Sequence, residues 1–354
     1  MNNALRQLRI GRPVAAWFSP YRAPRGLEPL KFALFTAYAA GAARLLGARL
    51  ALPKHCPPDQ AGRVARWLAD RKREGRTAWL DAQAALCVRT CAAATAEGLD
   101  VSGTFFRLAS EPFTHEKAAV VTRAGGTAVC HYATSEMGRV AAACGDPTSF
   151  DDMHFLADKL AVIQRDRVVG ASGVTVGALH YTTLLPSAPK LMINVESDDY
   201  GELEERPCLC PYGQVGLTLH MRRIRSYEKL TSEGNHFLGS DLVELVERVL
   251  PSRFGGVPGD YQLVEEQVGG LPKVSVVVRP ALGYIDDRDV VGAVLDHLRS
   301  EPSNRLMADV WRDSGTVRVV RREPYLTAAG KILPLHLAGA ESGLGRGSVG
   351  DHPA

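Results

Sequence analysis

Three short stretches carry side chains whose types and places would allow them to act on one small molecule. In HYATSEMG (131–138), Glu136 follows a predicted strand and a hydroxyl-rich turn, with Ser135 beside it. Strand ends of α/β sheets are where ligands bind, and a hydroxyl next to a carboxylate suits a phosphate and its magnesium ion. In NVESDDYGE, Asp198 and Asp199 follow the predicted strand KLMINV. A carboxylate accepts two hydrogen bonds, as from both hydroxyls of a ribose. In TAAGKILPLH (327–336), Lys331 follows Gly330 at the start of a hairpin or strand. Carried on a moving domain, its ammonium would offset charge building on a transferring phosphoryl or acyl oxygen. Between them lies MRRIRSYEKLTSEG, where Arg223 and Arg225 are within a nucleotide's reach and Lys229 would anchor a hinge. Taken one at a time, these residues also read as loop acids, a turn lysine and a solvated charge run.

A second constellation is of metal-ligand type. Cys144 and His154 have nine residues between them, and Cys208 and Cys210 have one, in the proline-bounded loop RPCLCPYG. Three cysteines and a histidine form a common structural zinc set, because zinc prefers thiolates in a closed tetrahedron. The C-x-C spacing is tighter than the usual zinc-finger pair. The other reading is four unrelated residues, with the cysteines as small buried hydrophobes. Cys130 and His131 would compete as ligands, whereas Cys56, Cys87 and Cys91 read as structural thiols on a helix face or loop. GASGVTVG lacks the G-x-S-x-G spacing of a nucleophile elbow and reads as a glycine-rich turn.

The elements that must position these groups alternate in the first half. ARLAL, TAWLDA, TFFRLAS and GTAVCHYA read as strands. PPDQAGRVARWLADRKREG and AALCVRTCAAATAEG read as helices, the second closed by Gly98. That rhythm predicts an α/β domain with a mainly parallel sheet. FALFTAYAAGAARLLGARLAL (32–52) is broken by Arg44 and Arg49, and reads as a buried helix running into a strand rather than a membrane span. After about residue 225 the order becomes mixed: the helix GSDLVELVERVLP, strands DYQLVEEQ and KVSVVVRPAL, the helix DRDVVGAVLDHLRS and the strand TVRVVRREP. This predicts a domain of α/β type over 1–224, a smaller α+β domain over 225–338, and a disordered Gly/Ser-rich tail over 339–354.

Composition narrows the function classes. The chain has 354 residues, 45% hydrophobic and 23% charged, with a net charge of +3. Its basic residues are scattered among acids, which argues against nucleic acid as a partner. The densest basic run, 69–76, fits a helix C-terminus. Seven cysteines in no regular framework, and no secretory signal, point to a reducing cytoplasm without membrane attachment.

In their order along the chain, these stretches resemble the adenylate-forming (AMP-binding) superfamily, and within it the phenylacetate–CoA ligase-like branch. YATSEMG, FDDMHFLADKLAVI, the acid pair, the Cys-rich loop, the Arg-rich run and the terminal Gly-Lys follow one another as in that branch. LPSRFGGVPGDYQLVEE and REPYLTAAGKILPLH are also similar to it. The resemblance covers about residues 100–337. It implies a partial adenylate-forming large domain followed by a C-terminal lid domain that turns about 223–226. It implies that Glu136 is the magnesium-linked acid, that Ser135 takes the family's threonine position, and that Asp199 is the ribose acid. It likewise implies that Arg223 contacts the nucleotide and that Lys331 is the adenylation lysine. In GTFFRLASEP, Ser110 takes the glycine position of the family's Gly-Glu-Pro strand end. It would put the Cys/His set at the rim of the nucleotide cleft, where zinc would pin two loops together.

The implied activity is that of an acyl ligase: a small aromatic or apolar carboxylic acid is activated with ATP and Mg2+ for transfer to CoA, a carrier thiol or an amine. Two departures are visible. No Ser/Thr/Gly-rich phosphate loop precedes YATSEMG, since RAPRG and YAAGAA lack the hydroxyls, and Arg225 and Ser226 stand where the family's hinge aspartate should. The chain is therefore expected to begin after the phosphate loop. The missing loop is then supplied by a partner chain, lost through truncation or no longer needed, and a homodimer is the other assembly expected. The rival readings are a truncated non-catalytic or split-enzyme member that serves as a zinc-stiffened binding or scaffold protein, and an acyltransferase using a preformed acyl adenylate.

Overall fold

The computed structural model describes residues 7, 11–20, 27–45, 51–169, 174–188, 190–226, 231–232, 235–236, 239–268, 271–300, 305–315, 317–327 and 330–337. A parallel pair, β1 (Trp17–Ser19) and β2 (Pro53–His55), stands ahead of the first core. That core is built on a parallel sheet ordered β3 (Trp79–Gln83), β4 (Phe105–Ala109), β5 (Thr127–Cys130). Helix α2 (Ala61–Arg73) leads into β3, and helices α3 (Ala84–Ala96) and α4 (His115–Arg123) join its strands. Helix α3 buries Ala84, Ala85, Cys87, Val88, Cys91 and Ala94, and side chains this small let its backbone lie close against the sheet. It ends at Ala96, and Gly98, at a φ of 64°, is the left-handed stop expected from AALCVRTCAAATAEG.

Beyond the parallel layers, a seven-stranded antiparallel sheet fills the middle of the chain. Its order is β6 (Tyr132–Thr134), β7 (Gly138–Ala143), β8 (Met153–Phe155), β12 (Leu219–Ser226), β11 (Val195–Glu205), β10 (Val174–Thr183), β9 (Leu160–Val169). Phe106, Leu108, Phe155, Tyr181 and Met221, all fully buried, tie it to the parallel sheet in one core. After the two-residue strands β13 (Thr231–Ser232) and β14 (Asn235–His236) comes a second core. Its sheet is ordered β17 (Val317–Arg321), β16 (Leu271–Val278), β15 (Tyr261–Val268), β18 (Leu335–Leu337). Helices Asp287–Ser300 and Arg305–Ser314 and the helical run from Gly239 to Phe254, with a π turn at Leu245–Val249, cover it.

Several expectations change in detail. The helix α1 (Leu27–Leu45) forms, but it is not buried: Leu34, Phe35, Tyr38 and Leu45 are 62, 58, 73 and 91% exposed. Its apolar residues run all round the helix, so one contact face leaves the rest outward. ARLAL lies mostly outside the described residues, and the strand there is Pro53–His55. GTAVCHYA divides at His131 into β5 and β6. KLMINV is not a strand before Val195, because Asn194 adopts a φ of 49° and its amide bonds the Thr182 hydroxyl at 2.9 Å. The first half of GASGVTVG (170–173) lies outside the described residues and its second half (174–177) is not a turn but the start of β10, while Lys229 and the tail 339–354 lie wholly outside them.

The two cores meet through polar groups. Lys117 of α4 pairs with Glu247 at 2.7 Å, both at most 6% exposed, and Thr114 donates to the same carboxylate at 2.6 Å. Arg89 of α3 reaches Glu323 and the Gly259 carbonyl, each at 2.9 Å. Glu111, two residues past β4, accepts from the Ala85 amide at 2.7 Å and from the Ile332 amide at 3.0 Å.

Candidate functional site

The Cys/His set is assembled by three neighbouring strands and one loop. Cys144 directly follows β7, and its amide continues the ladder to the Asp152 carbonyl at 3.0 Å. His154 lies on β8, opposite Ala142 of β7 on one side and His220 of β12 on the other. Cys208 and Cys210 come from the loop joining β11 to β12. Cys210 is the N-cap of the short helical turn Pro211–Gln214. A Cβ at Gly213 would run into the Cys208 carbonyl, so the tight return of this loop needs glycine there.

The four ligand atoms lie within 4.8 Å of one another. His154 Nε2 is 3.2 Å from Cys144 Sγ and 3.1 Å from Cys210 Sγ, and Cys144 Sγ is 3.5 Å from Cys208 Sγ. Zinc bonds of about 2.3 Å to sulfur and about 2.0 Å to nitrogen would set tetrahedral donors roughly 3.5–3.8 Å apart, so small outward shifts suffice. His154 Nδ1 faces the Leu217 carbonyl at 2.7 Å. Donation there leaves the Nε2 lone pair turned to the sulfurs, the tautomer a metal requires. Burial opposes ionisation of Cys210, yet the amides of Gly213, Gly145 and Tyr212 and the Cys208 thiol bring its pKa down to about 6. Burial pushes Cys144 up to about 12, although the Asp146 amide bonds its sulfur at 3.3 Å. Cys130 and His131 are not part of this group. The Cys130 thiol is raised to about 12 by burial, and His131 Nδ1 takes the Ala143 amide at 3.4 Å.

The acid and lysine residues occupy three separate contacts. Ser135 and Glu136 sit exposed on the turn between β6 and β7, with the Ser135 hydroxyl 3.4 Å from the Glu136 carboxylate. Hydrogen bonding, first from its own amide, holds the Glu136 carboxyl below its ordinary range, and Lys190 adds to this. Asp199 lies within β11 rather than after a strand, and it accepts the Tyr132 hydroxyl at 2.6 Å. Its neighbour Asp198 has a φ of 58°, where the strand bulges. Arg223 is within β12 at a φ of 52°, its amide bonded to Asp151 at 2.8 Å and its guanidinium paired with Glu202 at 2.7 Å. Asp199 stands opposite Ser226 and Tyr200 opposite Arg225 in the β11–β12 ladder, while Arg223 and Ile224 lie at its register shift.

Lys331 follows the left-handed Gly330 in a turn whose amides bond Thr327, and the next amide, of Ile332, is the one held by Glu111. The segment bearing Lys331 is thus fastened to the first core just past the C-terminal end of β4. Ser110, in the glycine place of the ASEP stretch, has a φ of 73°, a conformation that ordinarily favours glycine. Burial raises the Glu111 pKa above 4.5, against the pull of Lys117 and of the Ala85 and Ile332 amides, with Glu247 adding to the rise. The folded protein therefore holds this proton more tightly than the unfolded chain, and the contribution of Glu111 to stability is lost as pH rises through its folded pKa. Glu111→Gln should flatten that part of the profile. Urea midpoints of the variant and wild type from pH 4 to 7 should draw apart in the variant's favour as pH rises.

Sequence reasoning missed Glu111, Tyr132, Asp152, Arg206 and His220. Only the ASEP resemblance pointed near Glu111. The others are set by cross-strand register, which no local motif carries. A cavity of about 910 Å3 lies apart from all these residues, between the segment 12–20 and the 76–83 edge of β3, lined by Phe18, Trp67 and Trp79 among others.

No family model and no curated protein matches the chain. Among solved structures, it is similar to acetoacetyl-CoA synthetase from Streptomyces lividans, at 16% identity and a TM-score of 0.46, over 94% of this chain and 50% of that one. It is similar to a benzoate CoA ligase from Burkholderia xenovorans LB400, at 16% identity and a TM-score of 0.47, over 81% and 55%. A third is 2-hydroxyisobutyryl-CoA ligase in an open conformation with 2-HIB-AMP and CoA, at 18% identity and a TM-score of 0.39, over 67% and 53%. The chain spans about half the length of these structures, and the likeness is one of fold. No helix among the described residues is long and apolar enough to cross a membrane.

Proposed function

We propose that the chain is an adenylate-forming acyl ligase relative, with residues 1–224 as a partial nucleotide- and acid-binding domain and 225–338 as its lid. The observation that carries this reading is the grip of Glu111 on the Ile332 amide. It brings the Lys331 turn to the C-terminal edge of the parallel sheet, from which β5 leads through β6 to Ser135 and Glu136. Ligands of α/β sheets bind outside that edge.

In this reading a carboxylate oxygen of a small aromatic or apolar acid attacks the α-phosphorus of ATP and pyrophosphate leaves. Lys331 offsets the charge that gathers on the transferring oxygens. Asp199 accepts the ribose hydroxyls and Arg223 approaches the nucleotide. Glu136 and Ser135 would hold Mg2+, which screens the phosphate charge when bound. The thiol of CoA or a carrier, or an amine, then attacks the acyl carbon, and AMP leaves as the acyl–phosphate bond breaks. Cys144, His154, Cys208 and Cys210 would hold a structural zinc that fixes the loop between β11 and β12. The donor spacing and the His154–Leu217 bond support that assignment.

Isothermal titration with ATP and with a non-hydrolysable acyl-adenylate mimic, together with ATP–pyrophosphate exchange and metal analysis on one sample, tests this. Lys331→Ala should slow exchange by about 10²–10³-fold while mimic binding changes little, as for loss of one preorganised charge donor. Binding of neither nucleotide ligand by folded protein overturns the ligase reading. The Cys/His geometry specifically favours a second reading, a zinc-stiffened binding or scaffold protein. Zinc and mimic binding without exchange, alone or with added partner chain, would select it. Product formed only from supplied acyl adenylate would select the acyltransferase.

A further inference from the structure

The metal reading leaves one charge unanswered. Three thiolates and a neutral imidazole around Zn2+ carry a net charge of −1, and Cys144, His154 and Cys210 are all at most 6% exposed. Asp152, 4% exposed, adds a second negative group beside them. A buried charge persists only when paired.

The pairing cation comes from the same loop as two of the ligands. Arg206 follows β11, two residues before Cys208. One terminal nitrogen of its guanidinium pairs with the Asp152 carboxylate and lies 3.1 Å from His220 Nδ1. The guanidinium thus lies against the Asp152 and His220 members of a group that includes the Cys144 sulfur, and its buried Nε makes no hydrogen bond among the described residues. His220 Nδ1 in turn meets the other Asp152 oxygen at 2.7 Å, and the His220 ring packs 4.1 Å from that of His154. Cys144, Asp152 and His220 thus form a second group of metal-type ligands, within 4.8 Å of one another and sharing Cys144 with the first. In the folded chain a guanidinium sits among them.

We propose that Arg206 is the fixed counter-cation of the metal centre: its one positive charge offsets part of the negative charge shared by the cluster and Asp152, and it closes the adjoining Cys144–Asp152–His220 group to a second ion. The inference rests on the metal reading above and not on the ligase reading. Arg206 would not bind the zinc itself, so it is a positioning residue. A planar fork serves it better than an ammonium, because several acceptors must be met at once.

The test is zinc titration of the full chain against a competing chelator, with bound metal counted. Wild type should hold one zinc per chain. Arg206→Met should weaken zinc by about 10–100-fold, the range for loss of an outer partner of a ligand. Arg206→Lys should fall between the two, which a purely steric role would not produce. In cobalt-loaded protein, the thiolate-to-metal absorption should shift in R206M, since one sulfur loses its cationic neighbour. Should R206M not fold, the intermediate affinity and absorption of R206K carry the test. Wild type holding no zinc sinks the metal centre and this proposal together. Wild type holding one zinc, with R206M or R206K bound as tightly as wild type, sinks the Arg206 assignment alone. Two zinc ions in wild type also overturn it.

Discussion

Cys210→Ser is expected to empty the Cys/His centre of zinc and to lower the stability of the first core by about 4 kcal/mol at zinc concentrations near a thousand times the dissociation constant. The sign follows from linkage, since the folded chain presents all four ligands and the unfolded chain scatters them. The size is large because these ligands close one loop between β11 and β12 and join it to β7 and β8. Cys210 is the position to change because three backbone amides already favour its thiolate. Serine keeps the shape and loses the soft anion. Chelator treatment of wild type should reproduce the loss, and chelator should have no further effect on the variant. Denaturation midpoints with and without zinc measure both.

Lys117→Met is expected to cost about 3–5 kcal/mol, because it leaves the Glu247 carboxylate buried without its cation, bonded to the Thr114 hydroxyl and near the like-charged Glu111. The double variant Lys117→Met/Glu247→Leu should recover most of that loss, since neither charge then needs burial. The pair sets the meeting of the two cores rather than the strength of either. The single variant should therefore also free the second core, seen as faster amide exchange in 245–263 than in 274–278. A double-mutant cycle on guanidinium midpoints measures the coupling. Equal losses in the single and double variants would refute this account.

The Cys/His centre was legible as composition and not as geometry. A C-x-C between prolines and a Cys–His pair announce ligands, and the fold brings those same four residues together. The sequence does not display that His220 stands opposite His154, because register between residues 66 positions apart is fixed by tertiary pairing. The regular elements of the second core were legible because DRDVVGAVLDHLRS buries one consistent face and VSVVV (274–278) is a valine-rich run buried on both faces. The antiparallel sheet was not. Most of β9 is exposed and charged, so IQRDR carries no strand-like alternation of apolar residues. Asp199 was assigned to a strand end because KLMINV is apolar, yet Leu191 and Ile193 are 80 and 69% exposed and the ladder begins later. Glu111 was hidden because its importance lies in two backbone amides contributed from 26 residues before and 221 after.

The β11–β12 ribbon ends at the thiolate loop in one direction and at the Asp199–Ser226 pair in the other. Seven residue steps of about 3.3 Å separate Leu219 from Ser226, so these ends lie roughly 23 Å apart along a hydrogen-bonded rail. Slippage at the thiol end by one residue would turn every side chain on the moving strand to the opposite face, including those beside Asp199. A clamp on the far end therefore acts as a stop against creep, and its removal should be felt where the acid sits although no atom of the clamp comes near it.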